Sequence, residues 1–98
     1  MEKSRIVDYR ALGKRLRQFR EGIGLSMGEM AVELEVGYTQ YQNWESGKPI
    51  PFDQVIKIWR RFGVDPRWLT DGFGVPPDAV RKPTSEPYKA GKRHRFRS

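Results

Sequence analysis

Glycine and proline cut the first three quarters of this chain into short runs, and within each run the apolar residues recur at helical spacing. Leu12, Leu16, Phe19 and Ile23 stand at i, i+4, i+7 and i+11, which predicts a helix over residues 8–23 with one apolar face and an Arg/Lys-rich opposite face. Gly22 and Gly24 supply its stop. Ser26 and Glu29 have capping-box spacing and open a second helix through Met30, Ala31 and Leu34, interrupted at Val36 and Gly37. After KPIP, the residues Val55, Ile58, Trp59 and Phe62 repeat at i, i+3, i+4 and i+7, and Gly63 ends that run. Asp65 as cap and Pro66 at the first helical position begin a short last helix, closed by Gly72 and Gly74. With no strand pattern and no internal repeat, the expected fold is all-α.

The stretch VGYTQYQNWESG, residues 36–47, is rich in amide and hydroxyl side chains. Placed on a helical wheel, Gly37, Tyr41, Trp44 and Glu45 share one arc. Tyr38, Thr39, Gln42 and Asn43 fall opposite, and Gln40 sits at the edge. The segment therefore predicts a helix with rings turned inward and hydrogen-bonding groups turned outward. Gly47 is placed to stop it.

Composition narrows the class. A chain of 98 residues with 37% hydrophobic content suits one small domain with a modest core. It has no cysteine, which excludes disulfides and cysteine metal sites. No apolar run reaches membrane-span length and no signal-peptide core is present, so the expected location is the cytoplasm, away from membranes. The net charge of +7 is uneven: residues 81–98 hold seven bases against Glu86, whereas residues 1–80 hold 12 bases and 11 acids. A basic segment beside a near-neutral body suits a polyanionic partner, nucleic acid first. Residues 76–98, with four prolines and few large apolar residues, read as a flexible basic tail on a domain spanning residues 1–75.

Three motifs in order carry a family resemblance: LGKRLRQFREGIGLSMGEMAVELEV, then WESGKPIP, then FGVDPRWLTDG. Together they resemble the Cro/repressor-type helix-turn-helix family, often called the XRE family, over residues 9–72. The resemblance implies a five-helix lambda-repressor-like domain whose third helix lies in the DNA major groove. On that reading Tyr38, Thr39, Gln42 and Asn43 contact base edges. Gln and Asn each offer a donor and an acceptor to an adenine edge, and the Thr methyl suits thymine. No arginine stands on this face, so the contacted bases are expected to lean toward A·T. Ser26, Met27 and Gly28, at the start of the second helix, are the implied phosphate contacts, joined by Ser46 and Lys48 past the third. Arg20 and Glu45 are the implied structural ion pair. Tyr41, Trp44, Trp59, Phe62 and Trp68 are expected in the core or at an interface, while the resemblance also makes Trp68 and Leu69 a possible dimer face.

Two positions depart from the family pattern. Met27 stands where a glutamine is usual, and Glu35 stands where the turn usually has glycine. A left-handed Glu35 would be strained by about 1 kcal/mol or more. Either it takes that conformation or the turn adapts through Gly37. The remaining acids Glu29 and Glu33 read as capping and as a solvated face, and the basic face of the first helix (Arg10, Lys14, Arg15, Arg17) reads as solvated.

His94 is the sole histidine, and no acid pair or nucleophile–base set occurs, so no enzyme, metal or cofactor is expected. The function expected is that of a sequence-specific double-stranded DNA-binding transcriptional regulator, a small dimeric repressor or autoregulator acting as a homodimer. The alternative is a protein-interaction adaptor, antitoxin- or antiactivator-like, holding a protein partner with the same fold.

Overall fold

A computed structural model describes residues 7–81. The helices are α1 (Tyr9–Gly22), α2 (Met27–Leu34), α3 (Tyr38–Glu45), α4 (Phe52–Phe62), α5 (Pro66–Asp71) and α6 (Asp78–Arg81). The described residues are otherwise turns and irregular connections, so the all-α expectation holds.

Local chemistry sets most of the boundaries. Asp8 caps α1, accepting from the N–H groups of Arg10 and Ala11 at 3.1 and 3.2 Å. The capping box of α2 is complete: Ser26 Oγ accepts from the Glu29 N–H at 3.1 Å, and Glu29 Oε1 accepts from the Ser26 N–H at 2.9 Å. Asp65 caps α5 by accepting from the Arg67 N–H and also from the Val75 N–H, both at 2.9 Å. Those two donors, the Val75 N–H foremost, hold its carboxyl below the usual value. Gly63 and Gly72 end α4 and α5 in left-handed conformations, with φ of 77° and 81°.

The core lies where α1 meets α3, α5 and α6, and where α4 packs against α2 and α5. Leu12, Leu16, Phe19 and Ile23 all face into it, as their spacing requires. Burying each such side chain contributes about 1.5–3 kcal/mol. Phe19 meets Phe62 edge to face at 5.5 Å, joining α1 to α4.

Of the rings expected in the core or at an interface, Trp59 is 47% exposed and not core, because the inner face of α4 is Val55, Ile58 and Phe62 and the Trp59 ring falls outside that arc. Several other sequence expectations need correction. Trp68 and Leu69 are 6% and 1% exposed within the single chain, so the inward face of α5 is core and leaves neither side chain as a dimer face. Glu33 is buried rather than solvated and pairs with Arg61 at 3.2 Å. Arg15 is not simply solvated, since its Nη1 donates to the Leu69 carbonyl at 3.1 Å near the end of α5. Residues 76–81 are not a loose tail: α6 is a sixth helix packed on α1. Gly22 is buried there, and a methyl on it would overlap the Ala79 carbonyl oxygen. The rest of the basic tail, residues 82–98, lies outside the described residues.

Candidate nucleic-acid interface

The unit that presents the polar stretch is α2, a three-residue turn and α3. The turn closes with the Val36 N–H donating to the Ala31 carbonyl and the Glu35 N–H to the Val32 carbonyl, both at 3.0 Å. Glu35 takes the left-handed conformation, φ 62° and ψ 42°, the one non-glycine with positive φ among the described residues. Gly37 instead is extended at φ −72° and stands as the N-cap of α3. The turn therefore keeps the geometry that glycine usually serves, with glutamate in it.

The inner half of α3 is held from two sides. Tyr41 and Trp44 are buried and meet edge to face at 6.1 Å. Glu45 collects three charge-assisted or polar bonds: from Arg20 Nε at 2.7 Å, Arg20 Nη2 at 3.2 Å and the Tyr41 hydroxyl at 2.5 Å. Arg20 Nη1 also donates to the Leu25 carbonyl at 2.9 Å, tying the entry to α2 into the same network. The bond to Glu45 raises the Arg20 pKa, and burial raises that of the Tyr41 phenol. Both shifts keep Arg20 cationic and the Tyr41 hydroxyl protonated as a donor. The backbone approach is equally close. A Cβ on Gly13 of α1 would sit 2.5 Å from the Glu45 carbonyl oxygen and 2.6 Å from that of Trp44. Only glycine lets α1 and the end of α3 come this near.

With its inner half clamped, α3 turns Tyr38, Thr39 and Gln42 to solvent, and Asn43 is half-buried at the margin. The side-chain polar groups of these four have no hydrogen-bond partner among the described residues. The start of α2 lies beside them: a Cβ on Gly28 would be 4.0 Å from the Tyr38 ring. The N–H groups of Met27 and Gly28 are likewise without a partner there. The Met27 side chain packs against the core, so its outward chemistry is its N–H alone. Glu29 places a carboxylate at the same helix end through the capping box.

At the other end of α3, the Ser46 hydroxyl donates to the Asn43 carbonyl at 2.8 Å, where the Lys48 N–H also lands at 3.0 Å. The Ser46 proton is thus occupied in closing the helix. The exposed Lys48 side chain has no partner among the described residues. Arg10, read from the sequence as solvated, lies against Gly47: a Cβ there would be 3.0 Å from Arg10 Cγ. Its signal was weak, since it is one of several bases on α1, and only the fold brings it against Gly47, the residue before Lys48.

A family model for the helix-turn-helix domain matches residues 13–75. The chain belongs to this family, in its XRE-type form. No curated protein matches the chain. A helix-turn-helix domain is a DNA-binding unit, and here α2 and α3 are its two helices. The matched region ends before α6, so the packing of Ala79 on Gly22 lies beyond it. No described helix is long and apolar enough to cross a membrane.

Proposed function

We propose that this helix-turn-helix domain is a sequence-specific regulator of transcription that reads duplex DNA through α3 as a homodimer, repressing by occupancy. The observation that carries the reading is the contrast between the two sides of α3. One side is fixed by Arg20, Glu45 and Gly13. The other offers hydroxyl and amide groups with no partner among the described residues. Amides held on a rigid helix suit adenine edges, with which each makes two bonds. Tyr38, Thr39, Gln42 and Asn43 are the proposed base contacts.

Phosphates are proposed at the two ends of this row. The free N–H groups of Met27 and Gly28 serve one, with Ser26 holding the helix end. Lys48 and Arg10 serve the other, with Ser46 closing α3 behind Lys48. Glu29 at the first of these ends weakens the local positive field, so affinity here depends on N–H geometry more than on net charge.

The test is selection of bound duplexes from a random pool by the full chain at two salt concentrations. The expected product is an A·T-leaning inverted repeat with half-sites about one helical turn apart, retained at the higher salt with reduced yield. Binding that enriches no sequence and disappears with salt would overturn the reading and direct attention to a protein partner.

A further inference from the structure

Helix α4 is apolar on two arcs. Val55, Ile58 and Phe62 face the core. Phe52, Ile56 and Trp59 form a second stripe at i, i+4 and i+7, with Phe52 74% and Trp59 47% exposed. Nothing among the described residues covers this outer stripe, and exposing two large rings two turns apart on one face is unfavourable.

The charges beside the stripe identify the occupant. Four ionic side chains line the adjoining shallow groove: Asp53, Lys57, Arg60 and Arg61. Two of them are already committed to α2. Lys57 Nζ donates to the Leu34 carbonyl at 2.7 Å and Arg61 Nη2 pairs with Glu33 at 3.2 Å. That leaves Asp53 near the start of the helix and Arg60 near its end, neither with an ionic partner among the described residues. A face with one free acid and one free base, seven positions apart, is not an acidic or basic peptide site. It is complementary to itself turned end for end.

We infer that the outer face of α4 is the surface on which two copies of this chain associate, as an antiparallel α4–α4 pair about a two-fold axis. With Ile56 at the centre, Phe52 of each copy lies over Trp59 of the other on one flank. Asp53 of each copy meets Arg60 of the other on the opposite flank. Both flanks close with nearly one register, because Phe52 and Trp59 are seven apart, as are Asp53 and Arg60. The antiparallel helix dipoles add to the match. Such a contact is isologous and closed, so it makes dimers and not filaments. A large ring offers at most about 150–250 Å², and two rings with Ile56 fall short of the ~800 Å² per partner of a stable interface. The dimer is therefore weak and concentration-dependent.

This surface supplies a face for the dimer proposed above, but its test needs no DNA. Sedimentation velocity of the full chain across a concentration series should show reversible monomer–dimer exchange. Asp53→Arg alone, or Arg60→Asp alone, sets like charges together at both pairs and should weaken self-association by about tenfold or more. An equimolar mixture of the two variants restores both pairs across one heterodimer and should associate at least as well as the wild type. Phe52→Ala, at an exposed position, should also weaken association. A wild-type chain that stays monomeric throughout would overturn the inference. So would a dimer indifferent to these changes, or a mixture that fails to recover. A chain that dimerises this way yet selects no DNA sequence would leave the surface standing and remove only the DNA reading.

Discussion

Glu35 shows how one residue carries the geometry of the turn. Its φ of 62° is the conformation that glycine reaches without strain, and its side chain is exposed with no bond among the described residues to offset the cost. Glu35→Gly should therefore stabilise the fold by about 1 kcal/mol, read as a higher urea midpoint at unchanged slope. A lower midpoint would show that the carboxylate contributes something the turn geometry does not reveal. Arg20 is the opposite case. It bonds Glu45 and the Leu25 carbonyl in a buried site, with the more exposed Glu21 carboxylate 3.9 Å away. Removing Glu45 alone would leave a buried cation, which is why such a pair fixes geometry more than it adds stability.

At the scale of elements, the sequence made α1 to α5 legible because each has a single clear signal. Leu12, Leu16, Phe19 and Ile23 mark one face of α1, Ser26 and Glu29 mark the start of α2, and Asp65-Pro66 marks the start of α5. Three things were not legible, for physical reasons. Trp59 obeys the same period as the core of α4, and periodicity cannot tell an inner stripe from an outer one when a helix has both. Glu33 reads as solvated because its partner Arg61 is 28 positions away. Helix α6 is four residues long and flanked by prolines, too short for any period, and its docking depends on the missing side chain of Gly22. In the site, α3 was legible from its two-sided wheel, whereas Arg10 against Gly47 needed the fold. The packing of α1 on α3 makes its own prediction. Gly13→Ala improves helix propensity by about 1 kcal/mol. It also drives a methyl into two carbonyl oxygens, an overpacking worth about 1–3 kcal/mol or more. The expected outcome is a lower melting temperature together with weaker DNA binding, because α3 must shift. An unchanged melting temperature would mean the two backbones separate without penalty.

At the scale of the whole molecule, residues 1–80 are near neutral, which limits how much affinity their charge alone supplies, so the proposed function assigns discrimination to the face of α3. A single small domain reads too few bases to select one site in a genome. In the proposed dimer the weak α4 contact and the DNA would act together, each copy raising the local concentration of the other on a two-fold site. The claim on which this rests is that Gln42, exposed and without a partner among the described residues, reads a base edge. The most direct measurement compares wild type and Gln42→Ala on two duplexes, the selected inverted repeat and a scrambled control of the same length, at one salt concentration. Gln42→Ala should lose about 1–3 kcal/mol per contacted half-site on the selected duplex and bind the control as the wild type does. Equal losses on both duplexes, or no loss on either, would contradict a base-reading role for α3.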